Sequence, residues 1–121
     1  MNTQSICQSL HTALESRDIE QMLSLYADDA ELKVVDRDHP PSRPMELHGK
    51  RAIETYLRDV MGRDMQHRVL DEIVSDKGFA LTEECRYPDG ARVFMNSTIH
   101  LRGGKISREV DVQAWDEGPT A

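Results

Sequence analysis

The 121-residue sequence predicts an α+β fold in which helices come first and an antiparallel sheet follows. Three observations carry that expectation. Apolar residues recur at helical spacing as far as Met61, and from Met65 onward they alternate with polar residues in a period of two. The alternating stretches are separated by Ser75-Asp76-Lys77-Gly78, Pro88-Asp89-Gly90 and Arg102-Gly103-Gly104, the residue types that hairpin turns demand.

Ile6, Leu10, Ala13 and Leu14 share one helical face, which gives a first helix over Thr3–Ser16. Asp18 follows as the cap of a second helix, with Gln21 in the reciprocal position of a capping box and Ile19, Met22, Leu23, Leu25 and Tyr26 on its buried side. The helical pattern stops at Ala27-Asp28-Asp29-Ala30, and Glu31–Val35 reads as a short strand. From Asp36 to Leu47 the chain holds Pro40, Pro41 and Pro44, which forbid helix, so this is a long loop of the kind that covers something. Helix returns over Gly49–Met61, with Ile53, Tyr56, Leu57, Val60 and Met61 on one side and Gly62 at its end. Four strands follow, Gln66–Ser75, Phe79–Tyr87, Ala91–Leu101 and Lys105–Trp115, and their tight turns make them an antiparallel meander. With no repeat, low-complexity tract or linker, residues 1–121 are expected to form a single domain.

Composition narrows the function classes. The 15 basic and 22 acidic residues leave a net charge of -7 without any basic run, which argues against nucleic acid and anionic membranes as partners. No stretch approaches 18 apolar residues and the N-terminus lacks a basic flank before an apolar core, so a cytoplasmic protein is expected. Cys7 and Cys85 have no metal-type spacing and read as reduced packing residues.

The last strand carries the strongest chemical signal. Alternation sends Glu109, Asp111, Gln113 and Trp115 to one face and Arg108, Val110, Val112 and Ala114 to the other. Acid, amide and indole together describe a cavity wall; the alternative is that the valines form the core face and the acids meet water. A two-residue Asp89-Gly90 turn would pair Arg86 with Val93 and Glu84 with Met95, placing Thr82, Glu84, Arg86, Val93, Met95, Ser97 and Ile99 on one face. Of the five histidines, His67 and His100 fall on strands, neither at a short spacing that signals a metal site; His67 facing inward would be a proton shuttle. Met45, Met61, Met65 and Met95 read as packing or adaptable lining.

The order of helix, Tyr26-Ala27-Asp28-Asp29-Ala30, short strand, Pro-rich loop, His48-Gly49-Lys50-Arg51-Ala52-Ile53-Glu54-Thr55-Tyr56 and a meander ending Gly104-Lys105-Ile106 resembles the SnoaL-like branch of the nuclear transport factor 2-like superfamily. The resemblance spans nearly the whole chain and implies a cone, a strongly curved antiparallel sheet wrapped round the helices with one apolar pocket. That superfamily includes polyketide cyclases, ketosteroid isomerase, limonene-type epoxide hydrolase, dehydratases and non-catalytic association domains, so fold alone leaves function open. The general-base aspartate of ketosteroid isomerase would fall at about Val34, its oxyanion tyrosine near Leu10 and its protonated aspartate near Ser97. The cyclases and epoxide hydrolases instead keep an acid five residues after the isoleucine of a Gly-Lys-Ile turn, which is Asp111 here.

The resemblance makes the Glu84 and Arg86 face concave, so that Asp111, Arg86 and Glu84 would form an acid-arginine-acid catalytic group. Glu84 precedes Arg86, the reverse of the family order, and a rim salt bridge worth under about 1 kcal/mol is the other reading of that pair. Asp111 would be the acid/base group: burial would raise its pKa, whereas a nearby Arg86 would hold it ionised. Tyr26, Tyr56, Met95 and Trp115 would form the apolar wall, with His67, Ser97 and Gln113 as polar contacts. The expected function is binding of a small apolar molecule, with acid/base isomerase, cyclase or hydrolase chemistry that needs no cofactor and no metal; the alternative is a non-catalytic association module. A homodimer is expected through a convex face carrying Leu81, Cys85, Tyr87, Phe94, Val110 and Val112.

Overall fold

A computed structural model describes residues 2–116. Three helices, α1 (Thr3–Ser16), α2 (Ile19–Ser24) and α3 (Lys50–Met61), pack against one six-stranded sheet. Its strands are β1 (Tyr26–Val35), β2 (Met45–His48), β3 (Gln66–Val74), β4 (Gly78–Arg86), β5 (Arg92–Arg102) and β6 (Lys105–Asp116), in the spatial order β2-β1-β6-β5-β4-β3. The meander β3 to β6 is antiparallel throughout, while β1 joins β6 in parallel and carries β2 on its outer edge. Among the described residues no helix is long and apolar enough to cross a membrane.

Local chemistry sets the helix ends. The Asn2 side chain accepts the Ser5 amide at 2.8 Å to start α1, and Arg17 closes it in the left-handed region at φ 55°. Asp18 caps α2 through the Gln21 amide at 3.1 Å. The apolar side of α1 (Ile6, Cys7, Leu10, Ala13, Leu14) meets Met22, Ile53 and Leu57 of the other helices and Leu32, Val34, Phe79, Leu81, Ile99 and Ile106 of the sheet in one continuous core. Irregular pairing at Tyr26/Glu31, Val69/Asp71 and His100/Leu101 introduces the bulges that let a sheet bend round such a core.

Four expectations from the sequence need correction. Helix α2 is shorter than its apolar pattern, and Tyr26 opens β1 instead of closing a helix. The segment read as loop to Leu47 regains strand at Met45, once the prolines are passed, because β1 offers a free edge. The β4–β5 connection is also one residue longer than the expected two-residue Asp89-Gly90 turn, since Pro88, Asp89 and Gly90 all lie between Tyr87 and Ala91. The Tyr87 amide donates to the Ala91 carbonyl at 2.9 Å, and Arg86 pairs with Arg92 and Glu84 with Phe94. A one-residue shift reverses every side chain of β4, so Leu81, Glu83 and Cys85 point inward while Glu84 and Arg86 lie on the outside, bonded to each other at 2.5 Å. Finally, the outer face differs from the expected one: Leu81 and Cys85 are buried, whereas Phe94 and Val112 are about half exposed and Leu70 and Ile73 join them at the surface.

Candidate functional site

The concave side of the sheet and the three helices enclose a cavity of about 430 Å³, within the usual range for a small-molecule pocket. Its walls are largely apolar, with Leu10, Leu14, Met22, Leu57, Met65, Leu81, Val93 and Met95 among the lining residues. The Pro-rich segment reaches it through Asp36–His39 and not through the prolines themselves; the Arg37 guanidinium lies 4.0 Å from the Trp115 ring centroid, over its face. Trp115 stacks on Tyr87 with centroids 6.0 Å apart, and its Nε1 donates to Gln113 Oε1 at 3.1 Å. Gln113 Nε2 in turn lies 3.5 Å from the Tyr56 hydroxyl.

Deeper in, alternation along β6 brings Glu109 and Asp111 to the cavity together. Tyr26, delivered by the first residue of β1, donates its hydroxyl to Glu109 Oε1 at 2.5 Å. Burial pushes the Tyr26 hydroxyl well above its ordinary pKa, with the Glu109 charge adding to the effect, so it remains a donor. Asp111 is only 4 % exposed, and its Oδ1 has no hydrogen-bond partner. Burial raises its pKa well above the usual carboxylate range; Glu109, by its charge and a hydrogen bond, and the Glu83 charge raise it again, while a hydrogen bond with Ser97 works the other way. Arg86, the cation that would have held it ionised, is outside the cavity, so burial and the neighbouring acids favour the protonated form of Asp111.

A second polar group occupies the β3–β4 wall. His67 Nδ1 lies 2.8 Å from Glu83 Oε2 and 3.3 Å from Cys85 Sγ, all three side chains being buried. These residues are the one set among the described residues whose donor atoms, within 4.8 Å of one another, are close enough to share a metal ion. Metal binding would need the Cys85 thiolate, and burial together with the Glu83 charge pushes that thiol strongly up. Glu83 already accepts from the thiol at 3.6 Å, so the donor set fits an internal hydrogen-bonded group better than a cation.

The structure therefore places Tyr26, Tyr56, His67, Met95, Ser97, Asp111, Gln113 and Trp115 around one cavity and leaves Glu84 and Arg86 outside it. Sequence reasoning missed Glu83 and Cys85, which the turn length hides, and gave Glu109 no role of its own. A hairpin register tested against both faces would have found them, since Leu81, Glu83 and Cys85 join the inner row on β5 only when the turn is one residue longer.

Residues 8–109 match the family model of the SnoaL-like domain, and the chain belongs to that family, within the nuclear transport factor 2-like superfamily. Its cone is shared with solved structures of low identity. A candidate ketosteroid isomerase from Kribbella flavida superposes with a TM-score of 0.79 at 17 % identity, covering 98 % of this chain and 82 % of that one. An NTF2-like protein of unknown function from Mesorhizobium loti gives 0.82 at 12 % identity, covering 93 % and 90 %. IdmH, a candidate polyketide cyclase from Streptomyces antibioticus, gives 0.70 at 20 % identity, covering 93 % and 92 %. No curated protein matches the chain in sequence.

Proposed function

We propose that this chain binds a compact, mainly apolar molecule in its cone cavity and moves protons to and from it through Asp111, as an isomerase, cyclase or hydrolase of the acid/base kind. The observation that carries the reading is the buried carboxyl of Asp111 with Oδ1 unpartnered beside the cavity, in surroundings that favour its neutral form. A neutral carboxyl in an apolar pocket can donate to a carbonyl oxygen and strengthen that bond as water or a buffer base takes the neighbouring C–H proton and negative charge develops on the oxygen. Relatives of the same fold described as a candidate isomerase and a candidate cyclase make such chemistry a natural use of the cone.

The test uses β-tetralone, a compact apolar ketone with activated C–H bonds next to its carbonyl. The wild-type protein should bind it, quenching Trp115 fluorescence, and should accelerate deuterium uptake from D2O above the buffer rate. Asp111→Asn should keep the binding, because the amide preserves shape, and lose the acceleration, because it has no proton to exchange. Equal exchange by the variant and the wild type would remove Asp111 from the chemistry.

A second reading, association without catalysis, draws on the outer face, where Phe94 and Ala114 are paired neighbours beside Val112 and Phe94 is 49 % exposed. Binding of β-tetralone without any catalysed exchange would favour it.

A further inference from the structure

Among the described residues, two buried side-chain atoms lack a hydrogen-bond partner, Asp111 Oδ1 and His67 Nε2, and both residues line the same cavity. Buried polar atoms are nearly always paired, so two orphans facing one space point to a molecule that pairs both. The two atoms differ in kind. Glu83 Oε2, an acceptor 2.8 Å from His67 Nδ1, favours the neutral tautomer with its hydrogen on Nδ1, in which Nε2 is the acceptor. The His67 side chain is 2 % exposed, and its Glu83 partner equally so, which leaves bulk water poor access to Nε2.

Sheet register sets the two anchors apart. His67 shares a row with Cys85, Val93 and Trp115, while Asp111 shares one with Ser97 and Leu81. Three strand-to-strand steps separate β3 from β6 in the sheet, so the anchors stand on different walls, with Leu81, Val93 and Met95 supplying an apolar surface between them. A cavity of about 430 Å³ accommodates a skeleton of one or two rings.

We infer that the cavity takes a compact apolar molecule carrying a carbonyl oxygen at one end, received by Asp111, and a hydroxyl at the other, whose hydrogen His67 Nε2 accepts. This rests on the reading of Asp111 given above and adds the second anchor, with Glu83 as the positioning residue that fixes the imidazole tautomer. The ligand class is a hydroxy-ketone or its phenolic or enolic equivalent, and simple hydrocarbons and plain ketones are the weaker occupants.

NMR titration of the whole chain with matched aromatic probes tests this. One pair is acetophenone and p-hydroxyacetophenone; a longer pair carries acetyl alone, or acetyl and hydroxyl at opposite ends, on naphthalene. In the wild type the hydroxyl should tighten binding by about tenfold in at least one pair, as one buried hydrogen bond does. His67→Phe should reduce that preference to less than about twofold while leaving the plain ketone's affinity in place. If His67→Phe alone does not fold because Glu83 is left unpaired, His67→Phe combined with Glu83→Leu gives the same readout. Asp111→Leu should do the converse, abolishing the preference for p-hydroxyacetophenone over p-ethylphenol and keeping the preference for the hydroxyl. A wild type with no hydroxyl preference in either pair, or a preference that survives His67→Phe, overturns the inference; an intact Asp111-dependent ketone preference would then leave the Asp111 reading standing. Absence of binding by all probes at millimolar concentration overturns both.

Discussion

Asp111 owes its chemistry to which neighbours the sheet brings and which it withholds. Alternation within β6 grouped it with Glu109, Gln113 and Trp115 without knowledge of any turn, but which face looked inward took the family resemblance, since the valine face was itself a candidate for the core. The protonation state of Asp111 was not legible, since it hung on whether Arg86 came near, and a turn one residue longer than expected sent Arg86 outside. The consequence for stability follows from linkage. With a folded-state pKa raised above its ordinary 3.8, Asp111 holds a proton that the unfolded chain gives up, so stability falls as pH rises from about 3.8 toward the folded value, by up to about 1.4 kcal/mol per pH unit. Asp111→Asn removes that dependence. Urea unfolding should find the variant more stable than the wild type near neutral pH, with the advantage shrinking as pH is lowered toward about 4. An advantage independent of pH would mean that Asp111 is ionised in the folded chain.

At the scale of elements, helix α1 is fastened to β3 by more than apolar packing. The His11 Nδ1 and Glu72 Oε1 atoms are in direct contact, and the Cys7 thiol, its own pKa pushed up to about 12 chiefly by burial, donates to Glu72 Oε2 at 3.2 Å. Burial works against charge on both His11 and Glu72, but their mutual hydrogen bond and attraction, joined by Glu15 at 3.2 Å from His11 Nε2 and by the Cys7 thiol on the acid, outweigh it together, raising the histidine above 6.5 and lowering the acid below 4.5. The acid's share of the stabilisation is present above about pH 4.5 and lost as pH falls through its folded value. The histidine's share is complete below about pH 6.5 and lost as pH rises through its own. His11→Ala should therefore lower the thermal midpoint most between about pH 4.5 and 6.5 and much less in alkaline buffer; a flat difference across pH would show that only packing had been lost. None of this was readable beforehand, because a helix-to-strand contact across 61 positions leaves no local spacing. The elements themselves were readable, since helical caps, turn residues and period are local, and errors gathered where tertiary pairing decides, at β2 and at the β4–β5 turn.

Over the whole molecule the cone has two surfaces with different prospects. The outer one shows Phe94 and Val112 about half exposed, with Ile73 at 70 %, and that apolar area supports a homodimer formed through the sheet. Sedimentation at micromolar concentration should find a dimer for the wild type and a monomer for Phe94→Glu; a wild-type monomer would remove the argument. The inner surface holds the claim on which the functional account turns, that a carboxyl enclosed by the cone stays neutral at physiological pH. Infrared difference spectroscopy between the wild type and Asp111→Asn at neutral pH measures this directly. The account predicts a band from the C=O stretch of a protonated carboxyl that the variant lacks and that shifts in D2O, and the antisymmetric stretch of an ionised carboxylate in its place would contradict it.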